Sequence, residues 1–128
     1  MKKSKSTGER KMFQKIYDER KHVSGITGDN LDAWLGSYAA LNCYAHIIPK
    51  NGCNQLVFPS QSLKDEMLRL NPANVMLMSP EEHRLLDLGT EAQRARYEAQ
   101  HRCSFKVFYA AKQKLIEDIK LELKMMGY

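Results

Sequence analysis

The sequence predicts an α+β fold, mostly helical, in which a hairpin–helix core is flanked by N- and C-terminal helices. Three observations carry this expectation. Two short apolar runs, at 41–48 and 75–78, are bounded by Pro49, Asn51-Gly52 and Asn71-Pro72 turn signals, as strands are. Two helix starts follow, Ser79-Pro80-Glu81-Glu82 and Thr90-Glu91-Ala92-Gln93, each with a hydroxyl cap and a Glu or Gln three residues on. Near the C-terminus, Phe105, Phe108, Tyr109, Ile116 and Ile119 recur at helical spacing.

Taken in order, the first element is a helix over 8–21, where Met12, Phe13, Ile16 and Tyr17 form one apolar stripe. Residues 23–30 hold Gly25, Gly28 and Asp29-Asn30, which signal tight turns. Residues 32–40, with the only Trp, fit a short helix and an ordered loop equally. The strand at 41–48 stops at Pro49 and the Lys50-Asn51-Gly52 turn, and residues 55–58 read as a further short strand. Leu63, Met67 and Leu70 give a short helix over 60–70, ahead of the strand at 75–78. Ser79 caps the next helix with Pro80 at its first position, and Gly89 ends it. The second capping box starts another helix, and Ser104 caps the last. No internal repeat or low-complexity tract is visible.

Size and charge bound the function. A chain of 128 residues fits one domain, 1–128, whose first residues, 1–7, read as a basic disordered tail. A formal charge of +5 suits a polyanionic partner. The first residues lack the apolar stretch of a signal peptide, and no run approaches a membrane span, so no membrane partner is expected. Three cysteines, Cys43, Cys53 and Cys103, make an odd count without a close pair, which argues for packed thiols and a cytoplasmic setting.

The chemistry concentrates in four residues. His83 and Asp87 sit four apart on the helix after Pro80, on one face and within reach of one divalent ion. His46 lies in a strand; an imidazole with a pKa of about 6.5 can take a proton from water at neutral pH if one tautomer is enforced. Asn74, at the start of the next strand, is the candidate for enforcing it. Each residue also has an ordinary reading: a surface ion pair, a packed histidine, a turn asparagine. Lys50, Arg84, Arg94 and Arg96 are candidates for phosphate contact or for plain solubility, and His22 and His101 for structural or surface roles.

In combination, Tyr44-Ala45-His46-Ile47-Ile48-Pro49, Asn71-Pro72-Ala73-Asn74-Val75-Met76-Leu77-Met78, His83 and Asp87 resemble the HNH nucleases, and among them the phage-type members. The resemblance covers about residues 23–90 and leaves 91–128 as C-terminal helices. It implies a ββα-metal unit, a hairpin packed on a helix with one divalent ion, Mg²⁺ or Mn²⁺ foremost, with Zn²⁺ and Ni²⁺ as alternatives. It further implies a metal-dependent endonuclease acting on DNA. In that scheme His46 is the general base, Asn74 orients it and its loop, and His83 and Asp87 ligate the metal. A bacterial host, a phage or mobile-element origin, a packaging or recombination partner, and a monomer or homodimer also follow from the resemblance.

Three departures refine it. Ala45 stands where many relatives carry a metal ligand, so Asn42 or Glu82 would be recruited or the ion held weakly. Ser24, Thr27, Ser79 and Glu82 stand where four thiolates would hold a structural zinc, so none is expected. The link from Gly52 to Asn71 is longer than in compact relatives. A catalytically silent HNH-fold protein that binds nucleic acid, or a phage assembly protein, is the alternative.

Overall fold

The protein, a computed structural model, is described over residues 3–128, with side chains from Gly8 onward. The expected tail at 1–7 falls on residues whose side chains lie outside that description. Helix α1 spans Lys3–Glu19, starting earlier than the expected 8–21. Met12 and Ile16 are buried as expected, whereas Tyr17 is 41% exposed. The segment 32–40 resolves into a short helix, α2 (Asp32–Leu35), followed by a 3₁₀ turn at Ala40–Cys43.

The strand expected over 41–48 shortens to β1 (Tyr44–His46). Its partner is β2 (Val75–Leu77). Hydrogen bonds from Ile47 N to Asn74 O (2.8 Å) and from Met78 N to Cys43 O (3.0 Å) fix an antiparallel register with Ala45 opposite Met76. The fold is therefore α+β and mostly helical.

Residues 55–58 form no strand; Leu56 is buried in a core while Val57 is 83% exposed. The helix expected over 60–70 forms in two parts, α3 (Gln61–Lys64), capped by Ser60, and a π-helical turn at Asp65–Arg69. Such turns cluster at functional sites, and this one aims a carbonyl at His46, as described below. Gly52 closes the expected turn with φ +95°, a conformation that L side chains rarely adopt.

Three helices complete the chain: α4 (Pro80–Leu88), α5 (Glu91–His101) and α6 (Lys106–Met125). Both expected capping boxes are present, Ser79 with Glu82 and Thr90 with Gln93. Gly89 ends α4, though with φ −79° rather than a left-handed cap. Glycine is needed there because a Cβ would lie 2.6 Å from the Leu85 carbonyl oxygen. Ser104 stands one residue ahead of the cap expected of it: its Oγ accepts from Lys106 N, but the first bonds of α6, from Phe108 N and Tyr109 N, end on the Phe105 carbonyl. On α6, Ile116, Ile119 and Leu123 are buried at helical spacing, but Tyr109 is 48% exposed.

The chain divides into two compact units. The first comprises residues 1–20, 46–75 and 111–128. Its core joins Ile48, Leu56, Met67 and Leu68 to Ile116, Ile119 and Leu123. Arg20, just past α1, donates to the carbonyls of Pro72 and Val75 and so ties that helix to the segment entering β2. The second unit comprises residues 21–45 and 76–110 and buries Leu31, Leu77, Met78, Leu85, Tyr97 and Phe105. No helix among the described residues is long and apolar enough to cross a membrane.

Candidate functional site

His46 and Asn74 belong to the first unit, and His83 and Asp87 to the second. His46 ends β1, half-buried, with the Phe13 ring 6.1 Å from its own. Its Nε2 lies 3.0 Å from the carbonyl oxygen of Arg69, the last residue of the π-helical turn. A carbonyl only accepts, so Nε2 carries a proton, and in the neutral ring the lone pair is on Nδ1. The tautomer suited to proton abstraction is thus enforced by a backbone carbonyl.

Asn74 works through backbone atoms. Its side chain is fully buried; Oδ1 accepts from Ile48 N at 2.7 Å, while Nδ2 donates to the carbonyls of Ile48 (2.8 Å) and Leu68 (3.0 Å). One amide therefore stitches the segment after β1 to the π-helical turn. It orients the loop that bears His46 and, through Leu68, the turn that presents the Arg69 carbonyl.

In the second unit, His83 Nδ1 donates to the Asn42 carbonyl at 2.9 Å, leaving Nε2 unprotonated in the neutral ring. That nitrogen faces Asp87 Oδ2 at 3.2 Å. Two lone pairs at this separation repel unless a cation lies with them, either the proton of an imidazolium or a metal ion. Metal bonds of about 2.1 Å at right angles put two donors about 3.0 Å apart, close to the observed spacing. The pair opens on a hollow of about 420 Å³ lined also by Asn42, Glu81, Arg84 and Leu88. No group of three or more His, Cys, Asp or Glu side chains suited to a metal occurs among the described residues. Ala45, where a further ligand was considered, is buried.

Glu82, considered above as a recruit for the metal, is committed elsewhere. It is 1% exposed, and its Oε1 accepts from Ser24 Oγ (2.6 Å) and Ser79 N (2.9 Å) while Oε2 accepts from Tyr97 Oη (2.7 Å). Ser24 Oγ in turn accepts from the amides of Ile26 and Thr27. Ser24, Ser79 and Glu82, three of the four positions singled out above, therefore meet in one buried network. Thr27 stands aside, its hydroxyl accepting from Asp29 N. Burial, and then the Glu82 charge, pushes the Tyr97 hydroxyl well above its ordinary range and keeps it a donor. The same two causes push the Cys43 thiol up to about 11, so it stays a packed thiol rather than a ligand. All three cysteines are free.

The other polar candidates sort cleanly. His22 pairs with Asp32 at 2.7 Å, and His101 stacks on Tyr97 with centroids 4.0 Å apart. Lys50 pairs with Glu9 at 3.2 Å. Arg94 donates to the Leu85 and Gly89 carbonyls and so closes the end of α4. What sequence reasoning missed were the carbonyls of Arg69 and Asn42, which carry no side-chain signal, and the distant donor Tyr97. Comparison with protein-family models, curated proteins and solved structures finds no match to this chain.

Proposed function

We propose that this protein is a divalent-metal-dependent endonuclease of the HNH type, hydrolysing DNA phosphodiester bonds. The observation that carries the reading is the face-to-face placement of His83 Nε2 and Asp87 Oδ2 at 3.2 Å, with the other ring nitrogen already held by a backbone carbonyl. That arrangement fits a cation better than it fits an unoccupied pair of acceptors. A Mg²⁺ or Mn²⁺ ion bound there would stabilise charge on the phosphate and on the leaving oxygen.

The chain's own residues supply the remainder. His46 Nδ1 accepts a proton from water while Nε2 holds the Arg69 carbonyl, which keeps the ring from turning. The water oxygen forms the new bond to phosphorus in line with the departing 3′-oxygen, whose bond to phosphorus breaks and which then takes a proton from solvent. The products are a 5′-phosphate and a 3′-hydroxyl. Asn74 keeps the loop rigid throughout, through three bonds to backbone atoms.

A second reading draws on Ala45 and on the two-ligand character of the His83–Asp87 pair: a DNA-binding protein of the same type without catalysis. Supercoiled plasmid separates the two. Incubation with Mg²⁺ or Mn²⁺ is expected to give nicked or linear product that chelation abolishes. Plasmid left intact by well-folded protein at millimolar metal would overturn the enzymatic reading.

A further inference from the structure

Four basic side chains near the candidate residues offered themselves for phosphate contact, and the structure assigns two of them to other work. Lys50 is paired with Glu9, and Arg94 is spent on the carbonyls that end α4. Arg84 and Arg96 differ. Both are exposed, and among the described residues neither guanidinium has a hydrogen-bond or ion-pair partner. An arginine that binds nothing internal keeps its whole donor fork for a ligand.

Their placement gives that fork a direction. Arg84 follows His83 on α4 and lines the hollow that holds His83 and Asp87. It also lines a second groove, about 220 Å³, between α4 and α5, with Arg96, Gln93 and Gln100. Glu81 borders both hollows and is the one carboxylate of the second. The surface therefore runs from the His83–Asp87 pair, over Arg84, to Arg96 and two amide side chains. In the α4–α5 groove, two unpaired guanidiniums and two neutral amides against one carboxylate complement a chain of phosphates better than a peptide or an apolar ligand.

We propose that the α4–α5 groove is the track on which the DNA strand lies beside the candidate cation pair, with Arg84 and Arg96 on successive phosphates and Gln93 and Gln100 on sugar or phosphate oxygens. This rests on the endonuclease reading for its substrate but not for its test. Contacts of this kind add affinity without sequence preference and make it depend on salt.

The experiment is fluorescence anisotropy with a labelled DNA duplex across a salt series, in chelator so that no cleavage occurs. Arg84→Gln and Arg96→Gln are each expected to weaken binding about 3- to 10-fold and to lower the slope of log K against log salt by about one. Lys50→Gln is expected to stay within about twofold of the parent, since its charge is already paired. Circular dichroism confirms that each variant is folded. An unchanged slope in the folded Arg84→Gln/Arg96→Gln double variant would overturn the proposal. A protein that binds with these arginines but never nicks plasmid would sink the enzymatic reading and leave the track standing. A protein that nicks normally without them would do the reverse.

Discussion

Replacing His46 with alanine is expected to slow metal-dependent plasmid cleavage by about 10²- to 10⁴-fold, the usual contribution of a positioned general base. The side chain is half-buried at the end of β1 and its Nε2 meets the Arg69 carbonyl, whereas the Asn74 stitches run to backbone atoms of Ile48 and Leu68 and stay in place on truncation. The loss should therefore fall on kcat, with DNA binding within a few-fold of the parent. His46→Gln keeps a donor for the Arg69 carbonyl but supplies no base, and should be as inactive as alanine. Cleavage at the parental rate in either variant would remove His46 from the mechanism.

Glu82→Ala is the substitution expected to cost most stability. It strips the acceptor from two hydroxyls and one amide, those of Ser24, Tyr97 and Ser79, in a site that is almost fully closed to water. Leaving buried donors unsatisfied puts the loss at about 3–5 kcal/mol, a large share of a typical domain's ~5–15. Glu82→Gln retains one oxygen, and the hydroxyls of Ser24 and Tyr97 can turn, so its cost should be only about 1–2 kcal/mol. Urea denaturation measures both; alanine within ~1 kcal/mol of the parent would show that the network does not hold the unit together.

The network also predicts a pH dependence. Tyr97 favours its neutral form in the folded chain because of burial and the Glu82 charge, so its folded pKa lies above the unfolded one. Its contribution is complete below the ordinary value of 10.0 and is lost as the pH rises above it. Glu82 is also where the unit's architecture meets its chemistry. It ties the loop at Ser24, the cap of α4 and helix α5 together, and the next residue on α4 is His83.

How much of this was legible depended on the range of the interaction. The capping boxes at Ser79 and Thr90 are local chemistry, a hydroxyl and an acid or amide three residues apart, and both formed as written. The His83–Asp87 pair is likewise local and follows from the helix period. The apolar run at 41–48 forms a strand only in its middle, Tyr44–His46. Leu41 is 67% exposed and the chain turns as a 3₁₀ helix before Tyr44. Residues 55–58 have strand-like composition, but they bury Leu56 without a neighbouring strand to pair with.

Asn74 shows the limit most clearly. Its importance was readable, but its bonds go to backbone atoms of Ile48 and Leu68, and nothing in a sequence says where a carbonyl will point. The same blindness hid the Arg69 and Asn42 carbonyls that set the two histidine tautomers.

The His83–Asp87 pair is tested most directly by a crystal grown or soaked in Mn²⁺ and measured at an energy where manganese scatters anomalously. One anomalous peak is expected, bonded to His83 Nε2 and an Asp87 carboxylate oxygen at about 2.1–2.2 Å, with the His83 Nδ1 bond to Asn42 retained. A direct His83–Asp87 hydrogen bond that persists at saturating Mn²⁺, with no peak beside it, would contradict a metal site there.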